Sequence, residues 1–241
     1  MTPPTVQEDD YPFWDYQDLA LFAGAALPAL GASSIAVALV RRMSGEFHTK
    51  AMEVLVLQCV AYVLWFLALY GLFHFKHGRP FWESLAWSGP IRPILGSMAI
   101  GPVVAIAVAV AGYRLATPAV DNAFQDLLTD RVSVVVMGVL FTTLGPLAEE
   151  LAFRGFLLPL ISRSLGPAAG ITLAAAPFAL LHGPQYGWSW RHMMLIGLAG
   201  VAFGWARFRT GSTAAAAAMH ASYNLTFFAG FLIAEGDTIS W

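Results

Sequence analysis

Charge is scarce in this chain. Asp, Glu, Lys and Arg make up 12% of its 241 residues, about half the ~25% of an ordinary soluble domain. Cysteine is scarcer still. Cys59 stands alone, which excludes a disulfide within the chain. It lies beside Gln58 in an apolar stretch with no histidine near it in sequence, so it is a small hydrophobe rather than a nucleophile. No basic run marks a nucleic-acid surface, and the net charge of −2 points to no class of partner. Met1 to Asp18 contains no Lys or Arg and five acids, the opposite of the basic start of a signal peptide. There is no His-Glu-x-x-His, the spacing that puts two zinc-binding histidines on one helix face.

Apolar residues fill the rest. They amount to 58% of the chain, and the mean hydropathy is +0.64. Such a composition belongs to a polytopic membrane protein, in which each span needs about 20 apolar residues. Leu19–Val40 is uncharged and ends at Arg41-Arg42; Val54–Phe75 ends at Lys76; Pro93–Tyr113 stops at Arg114. Val132–Ala148 runs straight into two glutamates and is expected to continue to about Ile161. Ser164–Leu181, Met193–Ala206 and Ser212–Ala234 follow. The fold class is therefore all-α, a transmembrane helix bundle of seven spans, or eight if the fourth breaks near Pro146 or Pro159. Residues 1–18 form an extramembrane segment, and 19–241 a single transmembrane domain.

The connections carry interfacial signals. Phe81, Trp82, Trp87, Trp188 and Trp190 suit an aromatic belt. Ala119–Arg131 interleaves Asp121, Asp126 and Asp130 with Phe124, Leu127 and Leu128, as either a short amphipathic helix on the bilayer or a polar loop would. Arg41, Arg42 and Lys50 after the first span place the N-terminus outside by the positive-inside rule. Lys76, Arg79 and Arg92 in the second loop do not reinforce that orientation.

Against this background the stretch Gly145-Pro-Leu-Ala-Glu-Glu-Leu-Ala-Phe-Arg154 stands out. An acid at membrane depth costs about 2.5–3.5 kcal/mol or more, and here are two with an arginine. Glu150 and Arg154 are four apart and share a helix face, so they can neutralise each other. Glu149 points about 100° away and is left free. A free carboxylate in a cavity can take a proton from water and return it to a leaving amine. The alternative is an ion-pair cluster that only locks helices together. Two more apolar stretches each carry a histidine. In Phe178-Ala-Leu-Leu-His182 the aromatic shares a face with the imidazole and is read as packing. In His220-Ala-Ser-Tyr-Asn224 the imidazole and the amide share a face and can both donate to an oxyanion. Pro146 and Pro177 are expected to kink these helices and open space. Other intramembrane protease chemistries lack their residues. Gly31-Ala-Ser-Ser34 is similar to a rhomboid serine motif but lacks the following glycine, and Gly236-Asp237 offers only a lone aspartate in the tail.

Glu149-Glu150-x-x-x-Arg154, Phe178-x-x-x-His182 and His220-x-x-x-Asn224, in that order on successive helices, resemble the three motifs of the CAAX prenyl protease 2 and bacteriocin-processing family, the glutamic intramembrane proteases. The resemblance covers roughly 132–231, and the first three spans match nothing specific. It implies an eight-helix fold around a cavity open to one leaflet, and metal-independent cleavage. In the roles it implies, Glu149 is the base, assisted by His182. His220 and Asn224 form the oxyanion site, with Glu150 and Arg154 in support. Substrates of such an enzyme are membrane-anchored peptides or protein C-terminal tails, CAAX-like or sorting tails, met in the lipid bilayer and not on nucleic acid. No cofactor is expected, although Glu149, His182 and His220 would also suit zinc. A non-catalytic immunity or binding protein of the same fold is a second reading. A proton-relay transporter is a third, but it calls for paired sites in two inverted halves, which the sequence lacks. The Ala-rich, short-looped chain points to a prokaryotic plasma membrane.

Overall fold

The computed structural model describes residues 11–120 and 125–235. Among these the chain is all-helical: α1 Tyr16–Ser44, α2 Lys50–Lys76, α3 Phe81–Ser84, α4 Ile91–Arg114, α5 Arg131–Leu165, α6 Pro167–Leu181, α7 Trp190–Thr210 and α8 Thr213–Glu235. Every uncharged run in the sequence is a helix. Only α1, α2, α4 and α5 are long and apolar enough to cross a membrane by length and composition alone. The last turn of α2, Leu72–Lys76, is a wide π turn. Large apolar side chains such as Leu27, Ile35, Val63, Leu67, Val103 and Ile106 cover the outside, as in a bundle solvated by lipid. This is an integral membrane protein. The α6 helix is short at 15 residues, and α7 and α8 carry Arg191, Arg207, Arg209, His220 and Asn224, which lower their hydropathy.

Helix ends follow local rules. Asp15 caps α1 and Asp18 returns the bond in a capping box, Thr49 caps α2, and Asp130 caps α5 through Ser133. Two joints are single turns that need a left-handed residue. Gly166, at φ 86°, separates α5 from α6, and Gly211, at φ 67°, separates α7 from α8, where a Cβ would be strained. The α5 helix does not break, so the count stays at seven long helices. At 35 residues it is about 50 Å long, against a ~30 Å hydrocarbon core. Between α4 and α5 the described residues include a short 3₁₀ turn, Gln125–Leu127, and Leu128 is buried with Ala51, Val134 and Met137. Asp121 and Phe124 lie outside the described residues, as do Met1 to Asp10 and Asp237.

Two features of the packing position the site. The first is the seam between α4 and α8. Ser97, Gly101 and Ala105 recur every four residues on α4 and are all buried, the small-residue pattern that lets helix backbones touch. A Cβ on Gly101 would lie 2.0 Å from Ser222 Oγ and 2.4 Å from the Met219 carbonyl. The second is a clip made by the residues before α1. Trp14 is fully buried, stacks on Phe156 and donates its indole N–H to the Phe156 carbonyl at 3.1 Å. Arg163 donates to the carbonyls of Pro12 and Trp14, and Arg207 donates to the Tyr11 hydroxyl. Asp18, also buried, accepts from Lys76 at 2.5 Å and lies 2.9 Å from His77 Nε2. From Tyr11 onward the N-terminal segment is wedged against the ends of α2, α5 and α7.

Candidate active site

The α5 helix changes register twice around its glutamates. Leu140–Leu144 and Leu151–Leu157 are π turns, each ending just before a proline, Pro146 and Pro159. A proline lacks an N–H and clashes with the carbonyl four residues back; a wider turn relieves the clash, and such turns gather at functional sites. In the first, Gly145 N–H reaches back five residues to the Leu140 carbonyl. The same register would aim residue 146 at the Phe141 carbonyl, but Pro146 has no proton to give. The Asn224 amide of α8 donates there instead, at 2.8 Å. A defect in α5 is thereby filled by a motif residue of α8.

Glu150 and Arg154 are fully buried and bonded at 2.8 Å, the pairing their spacing predicts. Arg154 also donates to the Gly200 carbonyl at 2.7 Å and lies 4.5 Å over the Phe178 ring. A Cβ on Gly200 would stand 3.1 Å from the guanidinium and from the Phe178 ring. Phe178 packs edge-on to His220 at 5.7 Å, in the packing role expected of it. One partner had no signal in the spacing. His220 Nδ1 lies 2.9 Å from Glu150 Oε1, the same oxygen that Arg154 holds. The ring stacks on Phe203 at 4.5 Å, and its other nitrogen, Nε2, stands 3.9 Å from Glu149 Oε2.

Glu149 differs from its neighbour in access. Its side chain keeps 27% of its surface open, against 0% for Glu150. It faces a cavity of about 910 Å³, whose walls also hold His182, His220 and Asn224, so the structure gathers all four expected site residues. His182, at the end of α6, has Nδ1 2.7 Å from the Phe178 carbonyl, which turns Nε2 away from the helix. The histidine within ion-pair reach of Glu149 is His220. The first spans, silent in the sequence, contribute to the cavity too. Gln58 and Tyr62 of α2 line it, paired with each other, and the Glu149 carboxylate acts electrostatically on Tyr62. Their spacing of four in an uncharged span was the available signal. Tyr186 and His192 line the cavity from the α6–α7 loop and the start of α7.

A zinc site would need its ligands gathered. Among the described residues no group of three or more His, Cys, Asp or Glu side chains could hold a metal ion. Glu149, His182 and His220 share the cavity wall but are not gathered as a metal site.

A carboxylate, two imidazoles and an amide thus converge on one cavity inside a bundle of apolar helices. Residues 131–226 match the family model of Rce1-like proteins, "Type II CAAX prenyl endopeptidase Rce1-like". The matched segment is less than half of the chain, lies in its second half, and contains every motif residue. No curated protein and no solved structure matches the chain.

Proposed function

We propose that this protein is an intramembrane endopeptidase of glutamic type, cutting membrane-anchored peptides or protein tails with water activated at Glu149. The observation that carries the reading is the division of labour between adjacent acids. Glu150 is sealed in the core between Arg154 and His220, while Glu149 opens onto the cavity. Membership of the matched family supports a protease in outline; the chemistry below rests on the site.

The gap of 3.9 Å between Glu149 and His220 Nε2 leaves both groups available to a small third party. Glu149 takes a proton from water, and the water oxygen attacks the scissile carbonyl. The carbonyl oxygen becomes an oxyanion. With Nδ1 committed to Glu150, His220 Nε2 is the ring nitrogen left beside Glu149, and a proton placed there donates to the oxyanion. The Asn224 amide has two protons, and Phe141 takes one; the other is free to donate as well. His182, with Nε2 turned outward, helps to orient the water. Collapse of the intermediate breaks the C–N bond, and the proton held by Glu149 goes to the departing amine. One water is consumed, giving one carboxyl and one amine.

The test is Glu149→Gln, which keeps the shape and removes the base. Turnover of a membrane-anchored peptide in proteoliposomes is expected to fall by about 10²–10⁴-fold, with the melting curve unchanged. Retention of more than a tenth of the activity sinks the assignment. A non-catalytic binding protein would show no Glu149-dependent cleavage at all.

A further inference from the structure

Almost all of α2 faces away from the protein interior. Of its residues only Ala51, Leu69 and Phe73 are buried, and from Val54 to Phe75 it carries no charge. Two polar side chains nonetheless stand one turn apart on it, Gln58 and Tyr62, and share a face. Both are half-buried and line the cavity. The Tyr62 phenol pairs with the Gln58 amide, and it lies close enough to the Glu149 carboxylate for the two to act on each other electrostatically. Polar groups at membrane depth are costly and mark functional sites. The plain alternative is that the pair only holds α2 to the bundle. That task is done elsewhere on the helix. Trp65 donates its indole N–H to the Phe22 carbonyl at 2.7 Å and stacks on the Phe22 ring, and Leu69 and Phe73 are sunk in the core.

Resting on the endopeptidase reading, we propose that Tyr62 is a further catalytic residue, which holds the attacking water against Glu149, and that Gln58 is the positioning residue behind it. A water has two protons and two lone pairs. One proton goes to Glu149, whose 3.9 Å gap to His220 Nε2 is too long for a direct hydrogen bond. The other points to His182 Nε2, which is left as an acceptor when Nδ1–H donates to the Phe178 carbonyl. The Tyr62 hydroxyl donates to one lone pair. The second lone pair is then aimed at the scissile carbonyl carbon, and such aiming is a large part of what an active site supplies. The Gln58 amide N–H donates to the phenol oxygen and turns the Tyr62 proton toward the water. Tyr62 starts and ends the step with its own proton. Only the water's proton changes hands, to Glu149 and on to the departing amine, as a C–O bond replaces the C–N bond. The site thus draws one catalytic group from a span outside residues 131–226, the segment that matches the family model.

The experiment follows cleavage of an N-terminally acylated, fluorescent peptide by the full chain in proteoliposomes. Tyr62→Phe keeps the ring and removes the hydroxyl. Its kcat is expected to fall about tenfold, as for one hydrogen bond lost from the transition state, with KM and the melting curve unchanged. Gln58→Met should lower kcat by less, and added to Tyr62→Phe it should cost nothing more, because it acts through the hydroxyl. In the Glu149→Gln background, where the water has no base, Tyr62→Phe should likewise cost nothing more. Unchanged kcat in Tyr62→Phe overturns the inference. So does a loss confined to KM, or a loss that multiplies in full with that of Glu149→Gln, which is the mark of a displaced helix and not of a released water. If Tyr62→Phe melts low, the same coupling to Glu149→Gln decides. Absence of cleavage by wild type removes the endopeptidase reading and this inference with it. Cleavage that needs Glu149 but not Tyr62 removes this inference alone.

Discussion

Arg154 is the residue on which the site's charges balance. It is fully buried, holds Glu150, and reaches the backbone of α7 at Gly200. Arg154→Ala strands Glu150 with only His220 beside it. Breaking one side of a buried pair costs about 3–5 kcal/mol, so the variant should melt well below wild type in detergent and lose activity with it. Glu149→Gln should lose activity alone, and the contrast between the two melting curves separates the structural acid from the working one. A melt like wild type for Arg154→Ala would mean that the pair does not hold the core. The motif residues were legible in the sequence because charge in an apolar run needs a physical reason. Their wiring was not. Glu150 and His220 are 70 positions apart, and no spacing rule links them. The Phe141 carbonyl that engages Asn224 depends on a wide turn that hydrophobic periodicity does not reveal.

At the scale of elements, α8 is placed by what α4 leaves out. Gly101 lies against the turn of α8 that carries Met219 and Ser222, directly beside His220. Gly101→Ala puts a methyl into the Met219 carbonyl, and overpacking of this kind costs about 1–3 kcal/mol. The helix must move, and His220 and Asn224 move with it. Stability and turnover should both fall. Gly96, on the same helix, has nothing within 4 Å of its would-be Cβ. Gly96→Ala should leave turnover unchanged and raise stability by up to about 1 kcal/mol, from helix propensity alone. Equal effects from the two substitutions would show that the seam does not position α8. The helices themselves were legible, since uncharged runs gave all seven, four of them ended by Arg or Lys. The unbroken course of α5 was not, because a proline in sequence does not say whether its helix will kink or widen. The small residues of α4 were visible but silent; a four-residue repeat of Ser, Gly and Ala has a partner only once α8 is known.

Across the whole molecule, the clip ties the oldest part of the chain to its youngest. Trp14 was hidden among acids, and nothing in that acidic context predicts complete burial. Trp14→Ala removes a fully buried indole from beneath Phe156, itself within the π turn that follows Glu150. Such truncations cost about 3–5 kcal/mol, and the loss should appear as lowered thermal stability and, through α5, lowered turnover. A stable, fully active Trp14→Ala would mean that the clip is decoration. The clip also imposes an order on biogenesis. Tyr11 and Arg207 are 196 positions apart, so at about 5–20 residues per second the ribosome needs on the order of 10–40 s after making the hydroxyl to make its partner. Helices can enter the membrane one by one in that time, but the bundle cannot be closed until α7 has arrived. Trp14 waits only for Phe156 of α5, so a nascent protein stalled before α5 should still present Trp14 to a chemical probe, and one stalled before α7 should not.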